Sequence, residues 1–422
     1  MPFPRKLATA FLALLLYLPN PPAGRAGEVP PWLPHYDLDI RLCLDEHVAV
    51  VRERVTWTNP HPCPVHEVMF NVHSHYKIPD KDVGFLAKMV EILRLAPSEA
   101  MDFVGNSCEI GKVSLVAHSV PLTQAQARPS ADAGPLPIDF HYGQVEKGQF
   151  HPDANGTTML VPLPFPVGQH ESVTLDLEFT MRLPPKQGRW GQWKGVTFLA
   201  QWLPVVAYYD DQGWQPTPFI PWHQPFFNEA GVYTARVTLP KGQKVGCTAS
   251  VHQVTDLGNG LVQVEFEPRC ARDFALFCSD RYQEFTGQAG PVRVRVLAFP
   301  EHAFYAQELV RIACEAIPEY SKWFGPFPYP EFTLVETYFG WNGNECGGLV
   351  MIDERIFGMP HLACNFVDYL VSHEICHQWW YNAVGTNGYC ETWMDEGLAT
   401  YFSHRLITHK CGVKNSTMLE YP

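Results

Sequence analysis

The sequence predicts a multidomain protein of β plus α+β class, an N-terminal antiparallel β saddle or sandwich followed by a mixed domain that carries a metal site. Three observations predict it. Apolar and polar residues alternate with period two in segment after segment up to about residue 280. Near Thr286-Gly287-Gln288 the texture changes, and strands begin to alternate with a long helical stretch. Close to the end stands His373-Glu374-Ile375-Cys376-His377, an H-E-x-x-H pattern at helical spacing. At 422 residues the chain also exceeds one ordinary core, so residues 27–286 and 287–422 read as two domains.

Residues 1–26 read as a signal peptide. Arg5 and Lys6 form a positive n-region, Leu7 to Leu18 an apolar h-region, and Gly24-Arg25-Ala26 a small-residue cleavage site. An apolar run ended by Pro19 is too short to cross a bilayer easily. The expectation is an exported protein (secreted, periplasmic or cell-surface) with no stable membrane span. From Tyr36, the apolar residues Tyr36, Leu38, Ile40, Leu42 and Leu44 alternate with Asp37, Asp39, Arg41 and Asp45. Val173 to Leu183, Tyr233 to Leu239 and Val262 to Phe266 repeat the pattern, while Arg128 to Pro137 and Lys147 to Thr157 read as turn-rich connections. His73 and His75 alternate along a predicted strand. No carboxylate or cysteine pattern completes a site around them, so they read as structural.

Beyond the boundary, Val292 to Val296 reads as a strand. His302 to Phe324 reads as a helix with Leu309, Ile312, Ala313 and Ala316 on one side, and a kink is expected at Pro318. Phe332 to Tyr338 and Leu349 to Ile352 read as further strands. Composition narrows the function. A 46% hydrophobic, 18% charged chain is globular rather than disordered. A net charge of −13 with no basic block argues against a nucleic-acid partner and mildly favours cationic substrates. Twelve cysteines without a C-x-x-C pattern make neither a disulfide scaffold nor a thiolate metal site. Cys376 falls on a different helix face from the His pair and reads as packing. Asn155 and Asn415 stand in glycosylation sequons, which matter only in a host that glycosylates.

The metal motif is the strongest local signal. Each helical residue turns by about 100°, so His373 and His377 share a face and can bind one ion. Glu374 points to the side, where it can reach a water on that ion. A zinc site that keeps a position open wants a third protein ligand. Glu396 supplies it, 18 residues (378–395) beyond His377. Asn365 with Asp368 reads as the N-cap and capping box of the histidine helix, and Gly385 as its stop. Thr392 with Asp395 reads as opening a second helix bearing Leu398, Phe402 and Leu406, and Gly385-Thr386-Asn387-Gly388 lets the two helices face each other. The arrangement implies one Zn²⁺ per chain, with Glu374 as general base toward a metal-activated water. Glu345, in the glycine-rich stretch 340–348, could hold the free ammonium of a peptide laid along a sheet edge.

Taken together these residues resemble the zinc aminopeptidases of the aminopeptidase N and leukotriene hydrolase group, the gluzincins. Their zinc signature is matched at His373, Glu374, His377, Trp393, Glu396 and Gly397. Their upstream G-x-M-E-N motif corresponds to Asn342-Gly343-Asn344-Glu345-Cys346, of which only the Glu is kept, followed by Gly348-Leu349. Tyr36-Asp37-Leu38-Asp39 resembles the opening of the family's β domain, and Ala271-Arg272-Asp273-Phe274-Ala275 its late strand. Gln201 resembles a family Gln that reaches into the cleft. The resemblance implies a thermolysin-like zinc catalytic domain and an aminopeptidase acting on peptides with a free N-terminus, Glu345 and Gln201 binding the substrate. The family's oxyanion-stabilising Tyr lies tens of residues past the third ligand, and only 26 residues follow Glu396 here. Tyr401 is too near and Tyr421 stands at the end, so the chain reads as C-terminally truncated, with that Tyr beyond residue 422. Two alternatives stay open: a catalytically impaired or non-enzymatic peptide-binding member of the same fold, and a zinc endopeptidase that would not depend on Glu345. An epoxide hydrolase activity is possible in this fold, but no residue favours it.

Overall fold

A computed structural model describes residues 29–119, 134–221 and 227–412. The signal-peptide reading of residues 1–26, the Asn415 sequon, Tyr421 and most of the Arg128–Pro137 connection lie outside the described residues. Among the described residues no helix is long and apolar enough to cross a membrane, and none of the cysteines is in a disulfide.

The period-two segments form an eight-stranded sheet. Its order is Val251–Gly258, Leu261–Ala271, Gly231–Pro240, His35–Cys43, Val48–Thr58, Ser172–Arg182, Cys108–Ser119 and Leu136–Ile138. Strand His35–Cys43 alternates exposed and buried residues as its sequence demands, putting Tyr36, Leu38, Ile40 and Leu42 into the core. The sheet is not purely antiparallel, because His35–Cys43 runs parallel to Gly231–Pro240. Three corrections follow here. The run from Tyr36 ends as a strand at Cys43, and Leu44–Glu46 turns into a 3₁₀ helix. His73–His75 is a buried 3₁₀ turn rather than a strand, and both rings meet backbone carbonyls: His73 that of Thr217, His75 those of Cys108 and Ala154. Lys147 to Thr157 is not all connection, since Gln149–Pro152 pairs with His141–Glu146 as a hairpin.

A second, five-stranded sheet follows in the order Gln283–Ala289, Val292–Ala298, Glu331–Thr337, Leu349–Asp353, Gly343–Cys346. Its first strand straddles residue 287. Alternation gives each face its own partner. Val294, Val296, Phe332, Leu334, Val350 and Ile352 face the helices Ala303–Phe324 and Cys364–Cys376. Leu297, Val335, Leu349 and Met351 face Val196, Phe198 and Phe277 of a four-stranded sheet. The first helix runs from Ala303 through Pro318 to Phe324 as one element. The hairpin partner Gly343–Cys346 is the outermost strand. The loop entering it is fixed by the Asp353 carboxylate, which accepts from the Phe339 and Gly340 amides at 3.1 and 2.5 Å.

Helix ends depart most from the sequence reading. The histidine helix spans Cys364–Cys376, opens from a 3₁₀ turn with no side-chain cap, and places Asn365 inside its first turn. Asp368 serves as a tie instead, accepting from Arg311 (3.3 Å) and Lys410 (2.9 Å) on the neighbouring helices. The last helix, Glu396–Cys411, is capped by Asp395, whose carboxylate accepts from the Glu396 amide at 2.7 Å, while Thr392 lies in a preceding 3₁₀ turn. Gly385 does not stop the histidine helix, which ends nine residues earlier at Cys376 with His377 as its cap residue. It makes room instead. A Cβ there would collide with the buried Arg272 guanidinium, whose Nε donates to the Tyr381 carbonyl at 2.6 Å and whose Nη1 donates to that of Asn228 at 2.9 Å. Gly385→Val or Arg272→Ala should therefore cost on the order of 2–4 kcal/mol, since buried carbonyls lose a charged donor. Thermal unfolding checks this, and an unchanged midpoint would remove Arg272 as the tie.

Candidate metal centre and substrate anchor

Helical spacing brings the two histidines together, and the cap of the last helix brings the carboxylate. His373 Nε2 and His377 Nε2 are 3.1 Å apart, and Glu396 Oε2 lies 3.1 Å from the first and 3.7 Å from the second. These three atoms form the one described group able to hold a metal ion. Bonds of about 2.0–2.1 Å from a tetrahedral zinc place ligand atoms about 3.3–3.4 Å apart, and the three observed separations bracket that value. His377 Nδ1 donates to the Trp380 carbonyl at 3.1 Å, which leaves the Nε2 lone pair aimed at the other two donors. The residues present fit zinc.

The electrostatics agree. Burial disfavours a charged His377, yet the Glu396 carboxylate outweighs it and pushes the imidazole up to about 10. Burial raises the Glu396 carboxyl, but the two imidazoles beside it outweigh that and hold it well below the usual carboxylate range. Glu374 behaves oppositely. Burial, then the nearby Glu345 carboxylate, pushes it well above that range. Its Oε2 is buried with no hydrogen-bond partner among the described residues, and Gly343 of the edge strand packs directly on its Oε1, where a Cβ would not fit.

Glu345 sits on that edge strand, buried, and accepts from Asn344 Nδ2 at 2.9 Å. Gln201 is buried in a left-handed backbone conformation (φ 48°). Its Oε1 accepts from Arg189 Nη1 at 2.9 Å, and its Nε2 donates to Asp273 at 3.2 Å. Arg189 also donates to Asn344 Oδ1 at 3.1 Å, so Gln201 reaches Glu345 through Arg189 and Asn344. Cys346 is fully buried beside Gln201 Nε2. Cys376 is buried in the helical core. Trp393 is exposed.

Residues 309–421, which include all three donors, Glu374 and Glu345, match the family described as Peptidase family M1 domain. That stretch of the chain is similar to peptidase family M1. Over 219 residues it is 24% identical to probable aminopeptidase 1 of Saccharolobus solfataricus, covering 48% of this chain and 28% of that protein. Over 196 residues it is 26% identical to aminopeptidase N of Acetobacter pasteurianus, covering 43% of this chain and 53% of that protein. The matches thus span about half the length of these relatives or less. An M1 zinc metallopeptidase from Deinococcus radiodurans superposes with a TM-score of 0.54 at 16% identity, covering 90% of this chain and 71% of that one. That likeness speaks to fold: a β region followed by an α+β metallopeptidase region.

Against that M1 background, the residues that sequence reasoning missed are those that join elements. Gln378 Oε1 accepts from the Gly348 amide at 2.8 Å, and its Nε2 donates to the Cys346 carbonyl at 3.1 Å. Asn382 Nδ2 donates to the Glu345 and His377 carbonyls at 3.2 and 3.1 Å. The only signal was their place just past the motif. Zinc should stabilise the folded chain by about 2.7 kcal/mol at a hundredfold excess over its Kd, a chelator should reverse this, and His373→Ala or Glu396→Ala should lose it. Equal thermal shifts in those variants would put the ion elsewhere.

Proposed function

We propose that this chain is a zinc-dependent aminopeptidase that hydrolyses the N-terminal peptide bond of peptides with a free amine. One observation carries the reading: the donors of His373, His377 and Glu396 converge beside the unpartnered Glu374 oxygen, against an edge strand that bears Glu345. When bound, a zinc ion supplies Lewis acidity, lowering the pKa of a water and polarising the scissile carbonyl. His373, His377 and Glu396 would hold it, one per chain. Glu374 takes the proton of the attacking water at Oε2 and passes it to the departing amine. Its burial suits both steps, because a carboxyl with a raised pKa holds that proton between them. Glu345 holds the substrate ammonium and so limits cleavage to the first bond. Gln201 acts at one remove, by fixing Arg189 behind Asn344. The edge strand offers an extended peptide its outer backbone groups.

The signal-like composition of residues 1–26 supports export as the setting for this activity. Glu374→Gln should retain zinc by elemental analysis yet lose on the order of 10²–10⁴-fold in kcat. Wild-type should cleave free-amine peptides and spare N-acetylated ones, and Glu345→Ala should raise KM for the former. Wild-type rates in Glu374→Gln would remove it as the base, and equal hydrolysis of blocked peptides would favour an endopeptidase.

A further inference from the structure

A small cleft of about 70 Å³, open to solvent at its mouth, shares one wall with the substrate anchor. That wall is Arg189, which lines the cleft and donates to Gln201 and Asn344, one hydrogen bond short of Glu345. Much of the remaining lining is aromatic: Tyr76, Trp190, Phe219, Phe339 and Trp341. Phe339 and Trp341 belong to the loop that feeds the edge strand, so cleft and anchor are built from one segment. A peptide's first side chain leaves the Cα next to its amine nitrogen. With that amine on Glu345, the side chain would enter this cleft past Arg189.

Charge decides what the cleft takes. Asp102 lines it but is already paired, accepting from Arg182 Nη2 at 2.6 Å and from Ser107 Oγ at 3.1 Å. Lys186 also lines it, with its Nζ folded over Gly188, where a Cβ would come within 3.2 Å. Among the described residues no acceptor or carboxylate lies within bonding distance of that amine. Burial pushes it down to about 8, and the Asp102 charge restores only part of the loss. An ammonium in a cleft without a bonded partner is one half of an ion pair, and it binds best whatever supplies the other half.

We infer that Lys186 is a specificity-determining residue, selecting peptides whose N-terminal side chain ends in a carboxylate, glutamate or aspartate. The inference rests on the aminopeptidase reading for its placement of the amine. The glutamate carboxylate pairs with the Lys186 ammonium while its methylenes pack on the Trp190 and Trp341 rings. Glutamine has the same shape without the charge, so comparing the two isolates the ion pair.

The test uses the zinc-loaded full chain and the anilides of glutamate, glutamine and leucine. The glutamyl compound should exceed the glutaminyl one about tenfold or more in kcat/KM. Lys186→Met should bring that ratio near one, Lys186→Arg should keep it, and Lys186→Glu should shift preference to lysyl anilide. A second readout needs no turnover. In protein with ¹³C-dimethylated lysines, free glutamate should raise the pKa of the Lys186 resonance, and glutamine should not. Turnover with equal glutamyl and glutaminyl rates, or a ratio untouched by Lys186→Met, overturns the inference. Inert anilides with a Lys186 resonance that answers to glutamate support the carboxylate site and sink the peptidase reading alone. Inert anilides with an unresponsive resonance sink both.

Discussion

The catalytic geometry depends on two side-chain amides that join the end of the histidine helix to the edge strand. Gln378 uses both ends of its amide on the hairpin, accepting from Gly348 and donating to Cys346. Asn382 bridges the carbonyls of Glu345 and His377 directly. The backbone of the proposed ammonium anchor is therefore tied to the backbone of a proposed metal ligand by one residue. Each of these groups is buried, and an orphaned one costs about 1–3 kcal/mol. Slippage of the strand along the helix would break several such bonds together. That makes the separation of anchor and metal centre a fixed length, as the proposed exopeptidase reading requires.

Electrostatics gives the same clamp its chemical sense. Glu345 and Glu396 both add to the burial that raises Glu374. Collecting acidic groups in this way destabilises the fold locally. The Glu396 carboxylate favours a proton on His377 and outweighs that ring's burial, while burial pushes His373 down. The arrangement suits two cations, a metal ion and an ammonium, flanking a carboxyl that exchanges one proton.

What was legible in the sequence follows from how far a pattern has to reach. His373, Glu374 and His377 are fixed relative to one another by a single helical turn, so their spacing alone placed them. The β segments were legible because alternation is a local record of which face is buried, and the core contains the predicted set from Tyr36 to Phe266. Helix ends were not. The histidine helix opens from a 3₁₀ turn that supplies continuity without a side-chain cap, so the polar pair Asn365 and Asp368 misled, and Asp368 was needed by Arg311 and Lys410 instead. Gly385 carried a true glycine signal for the wrong reason, close approach of Arg272 rather than helix termination. Arg189 gave no signal at all, because its partner Asn344 lies 155 positions away.

That separation bears on the departures from the G-x-M-E-N pattern. Asn344 and Cys346 look like isolated losses when read along the chain, yet they belong to one buried polar cluster. Arg189 is tolerable in the interior because Gln201 and Asn344 accept from it. Asn344 is tolerable because its amide nitrogen is used by Glu345. Gln201 in turn is oriented by Asp273, whose carboxyl burial pushes up to about 6. An apolar residue at 344 would remove one of the guanidinium's acceptors and the Glu345 donor together, a larger penalty than either loss alone, because members of a buried network are not independent. The altered motif and Arg189 therefore belong to one network, and that network sets a guanidinium on the wall between the anchor and the cleft next door.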